Sequence, residues 1–136
     1  MISLFRQLIG AACILLFLLG LPIVPALAGE ADIVDVKVTE TSANTYRFDV
    51  TVAHGDTGWD HYANMYEVLD MDGNILGTRV LMHPHVNEQP FTRSLSGVHI
   101  PNDLNLIIVR ATDSVHGTGG REISLRRLDG PWQIVE

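Results

Sequence analysis

The sequence predicts an all-β domain, an antiparallel sandwich of about seven strands preceded by a signal peptide. Three observations predict it. Short runs of alternating apolar and polar residues recur over 29–128, with Gly, Pro, Asn and Asp between them. No helical period lasts beyond a turn or two in that stretch. Before it, the first 28 residues have the make-up of an export leader.

In the leader, Arg6 is the sole charge before Glu30, and an apolar run from Leu8 to Leu19 follows it. Gly20, Pro22 and Pro25 break the helix, and Ala26-Leu27-Ala28 supplies a small-x-small exit. Cleavage is therefore expected after Ala28, leaving a periplasmic or secreted chain with no membrane attachment. The rival is an uncleaved anchor, since Leu8 to Ala28 is long enough to span a bilayer. Cys13 follows Gly10-Ala11-Ala12, which lacks the leucine of a lipid-attachment site and lies too early for one.

Cys13 is the only cysteine, so the cleaved chain has none, and its stability rests on a core, a metal or both. All sixteen acidic residues follow Ala28, against eight of the nine basic ones. An acidic domain of about a hundred residues excludes nucleic acid and anionic membrane surfaces as partners and leaves cations open.

The expected strands run in order. The first is Ile33 to Thr39, with Val34, Val36 and Val38 alternating against Asp35, Lys37 and Thr39. The second is Thr45 to His54, with Tyr46, Phe48, Val50 and Val52 inward. The third runs from His61 to Leu69, and Asp72-Gly73 then marks a tight hairpin into Ile75 to Met82. Pro90 precedes Phe91 to Val98, where Gly97 marks a bulge. Leu104 to Thr112 is the most apolar run and reads as a central strand, and Glu122 to Leu128 closes the domain. Residues 129–136 form a C-terminal tail containing Pro131 and Trp132. Strands of this number and spacing suggest an immunoglobulin-like or fibronectin-III-like sandwich, with a small closed barrel as the rival.

Connections in such a sandwich alternate between two ends. Ser42-Ala43-Asn44, Asp72-Gly73-Asn74 and Pro101-Asn102-Asp103 fall at one end as plain turns. The longer loops 54–60, 83–89 and 113–120 fall at the other. They carry His54, His61, His83, His85 and His116, five of the six histidines. Asp56, Asp60, Glu88 and Asp113 lie among them, leaving His99 as a solvated or structural residue. Neutral imidazole suits zinc and copper, and a rigid sandwich can gather ligands from separate strand ends. In His83-Pro84-His85 the proline favours extended geometry, so both rings point one way and can grip one ion. Met82 beside them leans the choice towards copper. His54, in phase with Val50 and Val52, leans towards the core. Asp60, Asp113, Asp56 and Glu88 are placed to orient ligating rings.

The expected partner is a metal ion, copper or zinc, with an envelope protein as the alternative partner of the same loops. For that alternative, Trp59, Tyr62 and Phe91 form the rim. Catalysis has little to rest on. There is no thiol after cleavage, no G-x-S-x-G elbow, and nothing to activate Ser114 near His116. The Gly117–Gly120 stretch is too short for a phosphate loop. An open coordination position among the histidines, lined by Arg93 or Glu88, is the one catalytic route left.

Three segments carry a resemblance over nearly the whole mature chain: Trp59-Asp60-His61-Tyr62-Ala63-Asn64, the run from His83 to Leu95, and Asp113-Ser114-Val115-His116-Gly117. In them the sequence resembles a family of small, uncharacterised exported bacterial proteins, which implies export and no particular activity. In architecture alone it is loosely similar to periplasmic copper-carrier sandwiches with histidine sites at one end. It departs from those in starting Gly29-Glu30-Ala31 without a histidine and in lacking a methionine-rich loop.

Overall fold

Alternating burial along the chain builds eight strands. The computed structural model describes residues 29–135, so the leader expected over 1–28 lies outside the described residues. The strands are β1 (Asp32–Ser42), β2 (Thr45–Ala53), β3 (Ala63–Leu69), β4 (Ile75–Val80), β5 (Phe91–His99), β6 (Leu106–Asp113), β7 (Ile123–Arg126) and β8 (Gln133–Val135). They form a three-stranded sheet, β1-β2-β5, and a five-stranded sheet, β4-β3-β6-β7-β8, with every pairing antiparallel. Two separate sheets set aside the closed barrel.

β2 has the expected phase: Tyr46, Phe48, Val50 and Val52 are buried. β1 does not keep one phase. Ile33 pairs with Val52 and Asp35 with Thr51, so Val34 is an extra residue on β1, and it is exposed. That bulge turns Val34 outward while Ile33 and Val36 face inward. On β5 the expected bulge is present, because Tyr46 pairs with Val98 but Phe48 pairs with Leu95. Gly97 supplies the left-handed backbone there, at φ 72°. β6 lies in the middle of its sheet, as its apolar run predicts.

Between the sheets, Phe48, Val50, Val52 and Phe91 meet Tyr66, Val68, Ile107, Val109 and Leu125 in one core. Each such side chain contributes about 1.5–3 kcal/mol on burial. The Tyr66 hydroxyl crosses the layers and donates to the Arg93 carbonyl at 2.8 Å. Burial pushes that hydroxyl's pKa up, so it stays a donor.

Two further expectations change. The count is eight strands rather than about seven, because the tail pairs with β7 through Ser124–Val135 and Arg126–Gln133. Trp132 draws it in, lying edge-on to Tyr46 at 6.2 Å between centroids with the Arg127 guanidinium 4.8 Å over its ring. The third strand begins at Ala63 rather than His61, since the Ala63 N–H is given to the Asp56 carboxylate.

The register places the starts of β1, β3 and β5 and the ends of β2, β4 and β6 at one pole. The histidine-bearing loops emerge there, and the Asp72-Gly73 hairpin lies at the other pole.

Candidate functional site

β2 ends at Ala53, and His54 keeps its inward phase, so the ring is buried. The chain then turns sharply, with the Asp56 N–H donating to the His54 carbonyl at 2.9 Å. This turn drives a carboxylate inside. Asp56 Oδ1 lies 2.5 Å from His54 Nδ1 and accepts the Ala63 N–H at 3.0 Å, while Oδ2 accepts the His85 N–H at 2.7 Å. A buried carboxylate survives only when its lone pairs are taken, and here three donors take them. One side chain thus ties the end of β2, the start of β3 and the β4–β5 loop together. Gln89 adds a second tie: its Oε1 accepts from the His54 N–H and its Nε2 donates to the His85 carbonyl, both at 3.0 Å. On its other side, His54 Nε2 donates to the Gly29 carbonyl at 2.9 Å.

Asp113, at the end of β6, is the second buried carboxylate. Its Oδ1 accepts the N–H groups of Val115 at 2.9 Å and His116 at 2.7 Å, closing the turn into the β6–β7 loop. The same oxygen receives His61 Nε2 at 2.9 Å and His116 Nδ1 at 3.2 Å. Its Oδ2 is buried with no hydrogen-bond partner among the described residues. Burial works against the charge, but the His116 and Val115 amides and the His61 ring outweigh it. They hold the carboxyl below its usual range.

The two carboxylates bring three rings into a row. The His54 and His61 centroids are 4.7 Å apart, and His61 and His116 are 4.9 Å apart. One ligating atom each from His54, His61 and Asp113 fall within 4.8 Å of one another. Two imidazoles and a carboxylate are a donor set that zinc or copper takes. Bonds of about 2 Å to a tetrahedral ion separate its ligand atoms by roughly 3.3 Å, so an ion would draw the most widely spaced of these atoms together by at most about 1.5 Å.

The H-x-H pair lies apart from that row. The His83 and His85 rings do share a side, 4.6 Å apart. His85, however, is buried and stacked on Phe91 at 3.9 Å and 12°. Its Nε2 accepts from Arg93 Nη2 at 2.9 Å, which puts the ring proton on Nδ1, and Nδ1 is buried without a partner among the described residues. Burial holds the His85 pKa below the usual histidine value, and Arg93 and His83 push the same way. Exposed His83 turns its Nδ1 to the Pro84 carbonyl at 3.0 Å.

Of the acidic residues expected to orient rings, Asp56 and Asp113 do so. Glu88 reaches His85 only through Arg93, with which it pairs at 3.2 Å. Asp60 is exposed and is 4 residues past the turn that buries Asp56. Phe91 is core rather than rim. Gln89 and Gly29 were not expected; a glutamine clip has weak sequence signal and a backbone carbonyl has none. Around the pole, Trp59, Met82, Val86 and Val115 are more than half exposed. Trp59 lies edge-on to Tyr62 at 5.5 Å.

No protein-family model and no solved structure matches the chain. A protein of Halomicrobium mukohataei named "Putative lipoprotein" is 35% identical over 107 residues, which is 79% of this chain and 52% of that protein. The chain therefore spans about half the length of that relative.

Proposed function

We propose that the protein is an exported, envelope-located sandwich that binds one transition-metal ion, zinc or copper, at the histidine pole. His54, His61 and Asp113 serve as ligands, with His116 beside them. The observation that carries this reading is the approach of those three ligating atoms to within 4.8 Å, together with the buried Oδ2 of Asp113, which has no hydrogen-bond partner among the described residues. A buried carboxylate oxygen with no donor costs free energy that a cation recovers. Asp56, holding His54 Nδ1, is the orienting carboxylate common behind a ligating imidazole. Export is supported by the leader-like residues 1–28 and by the lipoprotein name of the relative. The order β1-β2-β5 over β4-β3-β6-β7 supports a fibronectin-III-like sandwich, since the fourth strand joins the sheet of the third.

Calorimetric titration with zinc or copper salts tests it. One equivalent binds, His61→Ala removes binding, and the double substitution His83→Ala with His85→Ala leaves it. Failure of the wild type to bind either metal overturns the reading. Binding that survives His61→Ala but vanishes in the double variant moves the site to the H-x-H pair.

The exposed Trp59, Met82, Val86 and Val115 favour a second reading, a docking face for another envelope protein. Under it the purified protein takes up no metal, and Trp59→Ala abolishes capture of a single partner from envelope extract.

A further inference from the structure

The metal site described above has a built-in obstruction. Both ring nitrogens of His54 are engaged, Nδ1 with Asp56 at 2.5 Å and Nε2 with the Gly29 carbonyl at 2.9 Å. A carbonyl oxygen only accepts, so Nε2 carries a proton in this arrangement, and a protonated nitrogen has no lone pair for a metal. For His54 to become a ligand, one of the two partners must leave. Asp56 is fully buried and fastened by three donors. Gly29 is exposed and lies ahead of β1.

We infer that Gly29 and Glu30 form a displaceable strap that caps His54 and opens when metal binds; this rests on the metal-binding reading. The strap has a defined hinge and seat. Behind it Ala31 is buried, the Arg121 N–H donates to Asp32 Oδ1 at 2.7 Å, and the Ile33 N–H donates to the Arg121 carbonyl at 2.8 Å. Among the described residues, movement therefore falls to Gly29 and Glu30. The seat is Gly119 of the β6–β7 loop, where a Cβ would stand 3.1 Å from Glu30 Cγ. Gly120 admits the hinge, since a Cβ there would stand 2.1 Å from the Ala31 carbonyl oxygen. Gly119 thus lets the strap come within contact of the loop. The β6–β7 loop that delivers Asp113 and His116 thereby also holds the segment that blocks His54. Lifting the strap exposes Nε2 to solvent, water takes its proton as the metal takes the lone pair, and the Nδ1–Asp56 bond stays in place as the orienting contact.

Zinc titration of isotope-labelled full-length protein, followed by NMR of the imidazole N–H signals, tests this. Zinc removes the His54 Nε2–H signal, retains Nδ1–H, and shifts the Glu30 amide. Zinc bound with the Nε2–H signal intact, or with Nδ1–H lost in its place, overturns the strap while leaving metal binding standing. No zinc bound at all overturns the site itself. Gly119→Ala supplies a second measure: by crowding Glu30 Cγ it loosens the strap and raises zinc affinity about fivefold, the equivalent of one net hydrogen bond. A folded Gly119→Ala protein with unchanged or weaker affinity counts against the strap. Should that variant not fold, the wild-type spectra decide.

Discussion

The carboxylate of Asp56 accepts the backbone N–H of His85, 29 residues away in the chain, at 2.7 Å. Through this bond the β2–β3 turn fixes the β4–β5 loop without any contact between the His54 and His85 rings being needed. The histidine pole is thus two groups: a row of His54, His61 and His116, and a stack of His83 and His85 on Phe91. Asp56 joins them.

Removing that joint is costly. Asp56→Ala leaves a buried imidazole and two N–H groups unpaired and lowers stability by about 3–5 kcal/mol. Asp60→Ala, four residues on and exposed, changes it by no more than about 0.5 kcal/mol. Urea unfolding of the pair of variants measures both. Equal effects would remove Asp56 from the centre of the pole.

Acid acts on the second group through His85. Burial, with Arg93 and His83, holds the His85 imidazole below its usual value, so the unfolded chain binds more protons there than the folded one. The resulting stability is complete above the unfolded pKa of about 6.5 and falls as pH drops from there towards the folded value. Urea midpoints taken from about pH 8 down to pH 5 decline below about pH 6.5. In His85→Phe that part of the decline is missing. A wild-type profile flat across this window would contradict the buried, neutral state of the ring.

The β5 bulge depends on Gly97. Its φ of 72° is strained for any side chain, although a Cβ there meets nothing within 4 Å. Gly97→Ala therefore loses about 1–3 kcal/mol from backbone strain alone. Thermal melting reads the loss, and a melting temperature equal to that of the wild type would show that the bulge does not require glycine.

The tail is held by its pairing with β7 and by the Trp132 side chain. Trp132→Ala removes the contacts with Tyr46 and Arg127 and costs about 2 kcal/mol. Hydrogen exchange at the residues pairing β7 with β8 rises at the same time. Unaltered protection there would mean that β8 pairs without its tryptophan.

How much of this was legible follows from periodicity. β2 was readable because its alternation runs unbroken from Tyr46 to Val52. β1 misled by its very regularity: Val34 matches Val36 and Val38 in sequence, but the bulge puts it on the other face. β8, three residues long, carries too short a pattern to register. In the site, the alternation of connections places all five loop histidines at one pole, which needs nothing beyond counting strands. Choosing among them needs more. His83 and His85 stand out in sequence as a spaced pair, yet the bond from Arg93 and the stacking on Phe91 occupy His85. Asp56 and Asp60 look equivalent in sequence because strand phase ends at Ala53, and only the turn after His54 separates them.

The Asp72-Gly73 hairpin is the plain end of the sandwich. Asp70 closes it by accepting the Asp72 and Asn74 amides at 2.9 and 2.8 Å, and the turn is fully exposed. It is therefore the natural attachment point for a label or a solid support. In a protein whose Cys13 is replaced by Ser, a thiol introduced at Asp72 would immobilise every molecule in one orientation, with the strap and the histidine row presented to the solution, so that metal uptake can be followed on a single surface without the support competing for the site.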